Sequence, residues 1–220
     1  MTRTLADRLV HPDPSARLQA ALAAGTDPDV ATVDVIVERC AVEPDFFVRD
    51  MLTWALTRLP RDATVPRLLG ALESAEPQAR SQALHTLSKI GDATAWPAVA
   101  GAVLHDRHDE VARSAWRAAV VLVPGGAEPA LATELARELG RGGIDLQRSL
   151  SRALGALGDA AGPALADRIT ATRSPDVLAH VIATRRLLDD PEGSFALDVE
   201  EAKRIWILRG SPDPGATAEE

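Results

Sequence analysis

The feature that most restricts this chain is a motif that returns six times along it. An acidic residue stands four places before an arginine at Asp13 and Arg17, Asp45 and Arg49, Glu76 and Arg80, and Asp109 and Arg113. In a fifth copy Gln147 takes the arginine slot and Gly143 the acidic one; in a sixth, His180 follows Asp176. Successive slots are 32, 31, 33, 34 and 33 residues apart. Three places after the slot stand Ala20, Leu52, Ala83, Trp116, Leu150 and Ala183, and seven places after it Ala24, Leu56, Leu87, Val120, Leu154 and Leu187. Two apolar positions four apart fit one face of a helix and not the alternation of a strand. Self-similarity at about 20–50 residues marks an array, because so short a unit buries its apolar face only against its neighbours.

Composition agrees with helices. Forty alanines and only seven aromatics, four Trp and three Phe, require a core of small and aliphatic side chains, which favours closely packed helices over sheet. A net charge of −8 and an isoelectric point near 5.2 oppose the large basic footprint that duplex DNA demands. Cys40, the single cysteine, makes no intramolecular disulfide, and Met1-Thr2-Arg3-Thr4-Leu5 does not lead into an apolar leader. No apolar run reaches the roughly 18 residues of a spanning helix, so a cytoplasmic chain away from the membrane is expected. Arginine supplies 22 of the 24 basic residues, which together with the alanine excess indicates GC-rich coding.

Each copy reads as a helix pair, over residues 4–25, 32–60, 63–91, 94–124, 128–158 and 162–189. Pro66, Pro97, Pro129 and Pro163 are expected in the first turn of the upstream helix, where a missing N–H costs nothing. Asp13 and Glu76 are placed to cap the second helix, and Gly91 and Gly158 to end it in a left-handed residue. Residues 194–209 read as a closing helix, acidic early and basic late, with Ile205, Trp206 and Leu208 covering the last repeat. The expected architecture is an all-α, right-handed solenoid of six helix pairs with a C-terminal capping helix. It forms one domain over 1–210, and the acidic tail 211–220 is too poor in apolar residues to order.

Gln78-Ala79-Arg80-Ser81-Gln82-Ala83-Leu84 with Leu87, Ile90, Gly91 and Asp92, and Glu110-Val111-Ala112-Arg113 with Ala115, resemble the second helix of HEAT repeats. The likeness is to the bacterial short type also seen in phycobilin lyases, and it covers residues 4–190. Phe46 to Leu56 further resembles actinobacterial HEAT-repeat proteins that accompany MerR-type regulators. The family likeness implies that Arg17, Arg49, Arg80 and Arg113 form a structural ladder with acids along the stack, and an i,i+4 acid–arginine pair adds about 0.2–0.5 kcal/mol.

Groups able to carry chemistry are sparse. His105-Asp106-Arg107-His108-Asp109 gathers metal-ligand side chains, but it falls at an inter-helix turn and no second ligand group is identifiable, so neither a metal nor another cofactor is assigned. Cys40 lies in an apolar helical stretch without a neighbouring histidine and reads as a buried, inert thiol. Ser149 and Ser151 have no histidine and carboxylate placed by a local motif, and Gly155, Gly158 and Gly162 follow no strand. The chain therefore reads as a non-enzyme.

What remains is surface. In a HEAT stack the second helices line the concave face, where Asp50, Trp54, Ser81, His85, Arg148 and Arg152 are expected to point outward, Ala118 standing with them in the fourth copy. That face would pass from aromatic and acidic to basic and suits a protein or peptide partner of mixed charge. A packing role for Trp54 against the next repeat weighs equally. The first alternative is a solenoid like the HEAT-like alkylpurine DNA glycosylases, with Trp54, Asp50 and Arg152 holding duplex. The second is a small-molecule sensor coupled to a transcription regulator.

Overall fold

The computed structural model describes residues 4–190 together with residues 195, 199, 200, 203 and 204. They fall in two compact units, residues 1–127 and 128–220, and the regular structure among the described residues is entirely helical. The first unit contains α1 (Leu5–Leu9), α2 (Pro14–Thr26), α3 (Val33–Val42), α4 (Phe46–Thr57), α5 (Arg61–Ala71), α6 (Pro77–Ile90), α7 (Trp96–Val99) and α8 (Asp109–Leu122). The second contains α9 (Glu128–Ala136), α10 (Ile144–Ala156), α11 (Ala161–Ala171) and α12 (Pro175–Asp189). The six expected helix pairs are present, four in the first unit and two in the second. Within the first unit the second helices α2, α4, α6 and α8 pack in succession, and within the second α10 packs on α12.

Local chemistry sets the ends of these helices. Asp13 accepts the Ser15 N–H at 2.9 Å to cap α2, and Asp45 accepts the Val48 N–H at 3.0 Å to cap α4, each satisfying a donor that the helix leaves unpaired. Gly91 ends α6 at φ 67°, the left-handed conformation that glycine adopts without Cβ strain, and its N–H returns to Leu87 O. At α6 the Glu76 side chain makes no capping bond; the Ser74 hydroxyl instead accepts the Glu76 N–H at 3.2 Å.

Three details depart from the sequence reading. Pro66 lies inside α5, because Pro60 starts the helix earlier by accepting from the Ala63 and Thr64 N–H groups. The upstream helix of the fourth pair is broken into α7 and a 3₁₀ turn, Ala102–His105. The third departure concerns α8. In α6 the buried stripe is Ala79, Ala83, Leu84, Thr86, Leu87 and Ile90, and in α8 it is Val111, Ala115, Trp116, Ala118, Ala119 and Leu122, each 32 residues on. Arg113 lies 33 residues after Arg80, so α8 is turned by one position against its own motif, and buried Ala112 stands where Arg80 stands. Ala118, expected outward, is buried; Arg117 is exposed in its place, and Val120, expected inward, is half-buried.

Residues 195, 199, 200, 203 and 204 are helical. Phe195 and Val199 are buried against Ala179, Ala183 and Leu187 of α12, and Lys203 Nζ pairs with Asp176 at 3.1 Å. The covering role expected of Ile205, Trp206 and Leu208, and the tail 211–220, lie outside the described residues.

Candidate functional site

In α2, α4 and α6 the slot arginine does not pair with the acid four places before it. Its Nη1 turns back to the carbonyls five and six places upstream: Arg17 to His11 and Pro12, Arg49 to Glu43 and Pro44, Arg80 to Ser74 and Ala75, at 2.8–3.2 Å. This clasp closes the turn between the helices of a pair. At Arg17 and Arg80 the other edge of the guanidinium crosses to the next pair. Arg17 Nε and Nη2 each donate to Glu43 at 2.8 Å, and Arg80 Nε and Nη2 donate to Asp106 at 2.9 and 3.1 Å. Both are forked, charge-assisted contacts whose geometry suits arginine and not lysine.

Glu43 is the most heavily engaged of these acids. It also accepts from Arg39 Nε and Nη2 and from the Asp45 N–H. Burial disfavours its ionised form, but the donors from Arg17, the Asp45 backbone and Arg39 prevail and hold its carboxyl at about 2. Asp106 is shifted in the same direction, burial being outweighed by Arg80 and the His108 N–H. Arg113 makes no such clasp; it pairs with Glu110 of its own helix at 3.6 Å.

The second unit fills the slot without charge. Gln147 Nε2 donates to Gly142 O at 3.0 Å, reproducing one arm of the arginine clasp. His180, 0% exposed, accepts the Gly140 N–H on Nδ1 at 2.9 Å, so its proton sits on Nε2, 3.0 Å from both Gln147 O and Ser151 Oγ. Ser151 in turn lies 2.7 Å from Thr184 Oγ1, which donates to His180 O. Burial lowers the imidazole to about 4, keeping it neutral. Sequence reasoning found no histidine for Ser151, and the structure supplies one through the slot itself. The arrangement is nevertheless no nucleophile relay: both groups are buried, and His180 Nδ1 faces a backbone donor where a triad needs a carboxylate.

An open cleft of about 450 Å³ crosses α4, α6 and α8 in the first unit. Helix α4 contributes Phe46, Arg49 and Asp50; α6 contributes Gln78, Ser81 and His85; α8 contributes Glu110, Ser114 and Arg117. The hydroxyls of Ser81 and Ser114 are 2.9 Å apart and tie α6 to α8 along the floor. His85 is held below its usual range by burial, then by Lys89 and Arg117, with Asp50 opposing. Phe46 lines the cleft at 64% exposure, and Phe47, 70% exposed, lies against it outside the lining, with ring centroids 5.6 Å apart and edge to face. Sequence reasoning missed these two as surface residues and also Arg117. A pair of aromatics at the first turn of a helix, before the apolar stripe begins, was the available signal.

Of the residues expected on the binding face, Asp50, Ser81 and His85 come together in this cleft. Trp54 is 38% exposed and does not line it. One side of its indole lies on α2, where a Cβ built on Gly25 would run into the six-membered ring. Arg148 and Arg152 are exposed on α10, in the second unit. Cys40 is buried and its thiol is pushed up to about 12 by burial. Among the described residues no three His, Cys, Asp or Glu side chains are grouped to hold a metal ion: Asp106 is engaged by Arg80, and His108 Nε2 accepts from Arg107. No helix among the described residues is long and apolar enough to cross a membrane.

Residues 33–119, which span α3 to α8 and hold the whole cleft, match the family model described as HEAT repeats, and this stretch is built of HEAT repeats. No curated protein matches the chain. A solved structure similar to it is the complex of CpcE and CpcF of phycocyanin lyase from Nostoc sp. PCC7120, at 21% identity over 93% of this chain and 95% of that chain, with a TM-score of 0.37.

Proposed function

We propose that this HEAT-repeat protein is a non-catalytic scaffold that binds a protein segment of mixed charge across α4, α6 and α8. The observation that carries the proposal is exposed Phe46 in a cleft lined by both signs of charge, with exposed Phe47 against it. Large aromatics left in water are costly unless a partner covers them, and they supply much of the energy at protein interfaces. The floor is polar and fixed by interhelical bonds, which suits orientation of a bound chain more than chemistry upon it. Trp54's outer face extends the contact surface on α4, and Arg148 and Arg152, exposed on α10, form a separate basic contact in the second unit. Site-specific photocrosslinking in cells tests the reading. A crosslinker at Asp50 should trap a discrete protein adduct that Phe46→Ala with Phe47→Ala abolishes, while a crosslinker at exposed Ala98 traps none. Adducts that ignore the two phenylalanines would refute this site.

A further inference from the structure

We infer that Arg49 is an open rung, a guanidinium whose free edge takes the Asp or Glu side chain of a bound protein segment. The inference rests on the scaffold reading above and adds to it the chemistry of the segment.

In five of the six pairs the residue two before the cap of the second helix accepts the N–H of that cap. His11 does so for Asp13 at 3.1 Å, Glu43 for Asp45 at 2.9 Å, Ser74 for Glu76 at 3.2 Å, Asp106 for His108 at 2.8 Å and Thr172 for Ser174 at 3.1 Å. Where that residue is an acid, its carboxylate also takes the arginine of the pair before: Glu43 takes Arg17, and Asp106 takes Arg80. In the second unit neutral Thr172 follows neutral Gln147, and no charge needs matching.

Arg49 breaks this correspondence. Its Nη1 makes the usual clasp, but the following turn offers Ser74, a hydroxyl already engaged with Glu76. The next pair reaches the clasp only with an amide: Gln78 Nε2 donates to Glu43 O, the same carbonyl that Arg49 Nη1 uses, and to Cys40 O. An amide neutralises nothing, and no carboxylate among the described residues pairs with Arg49. Arg49 is half-buried and lines the cleft beside Phe46. A partly desolvated guanidinium with one edge unmatched favours a carboxylate delivered from outside, in the forked geometry already seen at Arg17 and Arg80. Phe46, in the same cleft, places an apolar residue of the segment next to that acid. Asp50 and Glu110 in the same cleft repel a run of acids, so the segment carries one acid there and not several.

The test uses the full chain and random dodecapeptides displayed on phage. The selected peptides should share an Asp or Glu beside an aromatic or aliphatic residue. Changing that acid to Asn or Gln should weaken binding about tenfold or more, the scale of a charge-assisted bond lost from a desolvated site. Ser74→Glu supplies the acid from within: it should raise the Tm and weaken the peptides by the same factor, while Ser74→Ala leaves binding unchanged. Arg49→Gln, which keeps the clasp as Gln147 does, should also weaken binding and keeps the test decisive if Ser74→Glu folds poorly. Peptides that lose binding with Phe46→Ala but tolerate both the acid-to-amide change and Arg49→Gln would overturn the open rung and leave the scaffold standing. A selection that yields no binding peptide would overturn both.

Discussion

In the first unit the slot on the second helix holds an arginine, which at Arg17 and Arg80 reaches an acid in the next pair; in the second unit the equivalent slots hold an amide and a neutral imidazole. Arg17 closes the turn of its own pair by donating to His11 O and Gln147 does so by donating to Gly142 O, while His180 reaches back to the turn of the pair before and accepts the Gly140 N–H. They differ in what they demand of the neighbour. A neutral network is complete once its hydrogen bonds are made, and the His180, Ser151 and Thr184 groups complete theirs among themselves and the backbone. A guanidinium needs a counter-charge, so only the first unit is capable of an unfinished rung. The difference shows how a repeat protein can place a binding group without a dedicated loop, by changing one turn residue from acid to serine.

The comparison yields a ranked set of substitutions. The largest loss should come from Glu43→Gln, which removes the carboxylate shared by Arg17 and Arg39 and strands Arg17, itself 6% exposed. Breaking a buried pair from one side costs about 3–5 kcal/mol, measurable by chemical denaturation. A loss below about 1 kcal/mol would place the rung among weak surface pairs. Next, His180→Ala should cost about 2–3 kcal/mol, because the Gly140 N–H and Gln147 O lose their buried partner. Removing both hydroxyls, with Ser151→Ala and Thr184→Val, should cost less than His180→Ala, since no half-pair is left between them.

Smaller effects separate packing from propensity. Gly25→Ala should destabilise by about 1–3 kcal/mol, because the new methyl meets Trp54 and the Ala55 backbone at 3.0 Å. Gly70→Ala, inside α5 with nothing within 4 Å of the added Cβ, should instead stabilise by about 0.5–1 kcal/mol through helix propensity. Thermal melts of the two variants check opposite signs for one chemical change. A stabilising Gly25→Ala would show that Trp54 swings away freely and is not held on α2.

Much of the fold was legible because the period, the proline and glycine positions and the apolar columns all describe single helices, whose signals are local. The acid–arginine recurrence located the copies but misrepresented the bonding. Asp13 and Asp45 serve as caps, while the partners of the arginines are Glu43 and Asp106, 26 residues after Arg17 and Arg80, a separation that no single-helix pattern displays. The same local alignment put Arg113 on the ladder and Ala118 on the surface, because it could not show that α8 packs one position out of step with its motif. Asp50, Ser81 and His85 were legible as outward residues because outward positions follow from the inward ones; Phe46 and Arg117, which line the same cleft, and exposed Phe47 were not, because they precede the stripe or fall on the shifted helix.

The contrast between charged and neutral slots is tested most directly by acidification. His180 titrates near 6.5 when unfolded and about 4 in the fold, so the unfolded chain binds more protons between those values. Its contribution, at most about 3 kcal/mol, is fully present above pH 6.5 and is lost as the pH falls towards 4. Glu43, normally near 4.5 and held at about 2, contributes fully above 4.5 and loses its contribution only below that value. His85 shifts in the same direction as His180, but it is half-exposed and solvent screening reduces its share. Hydrogen exchange of the full chain, read by mass spectrometry between about pH 7 and pH 4.5 and corrected for intrinsic rates, resolves the units separately. Protection should fall first in α10 and α12 while α2 and α4 hold; simultaneous loss, or earlier loosening of α2 and α4, would contradict the account.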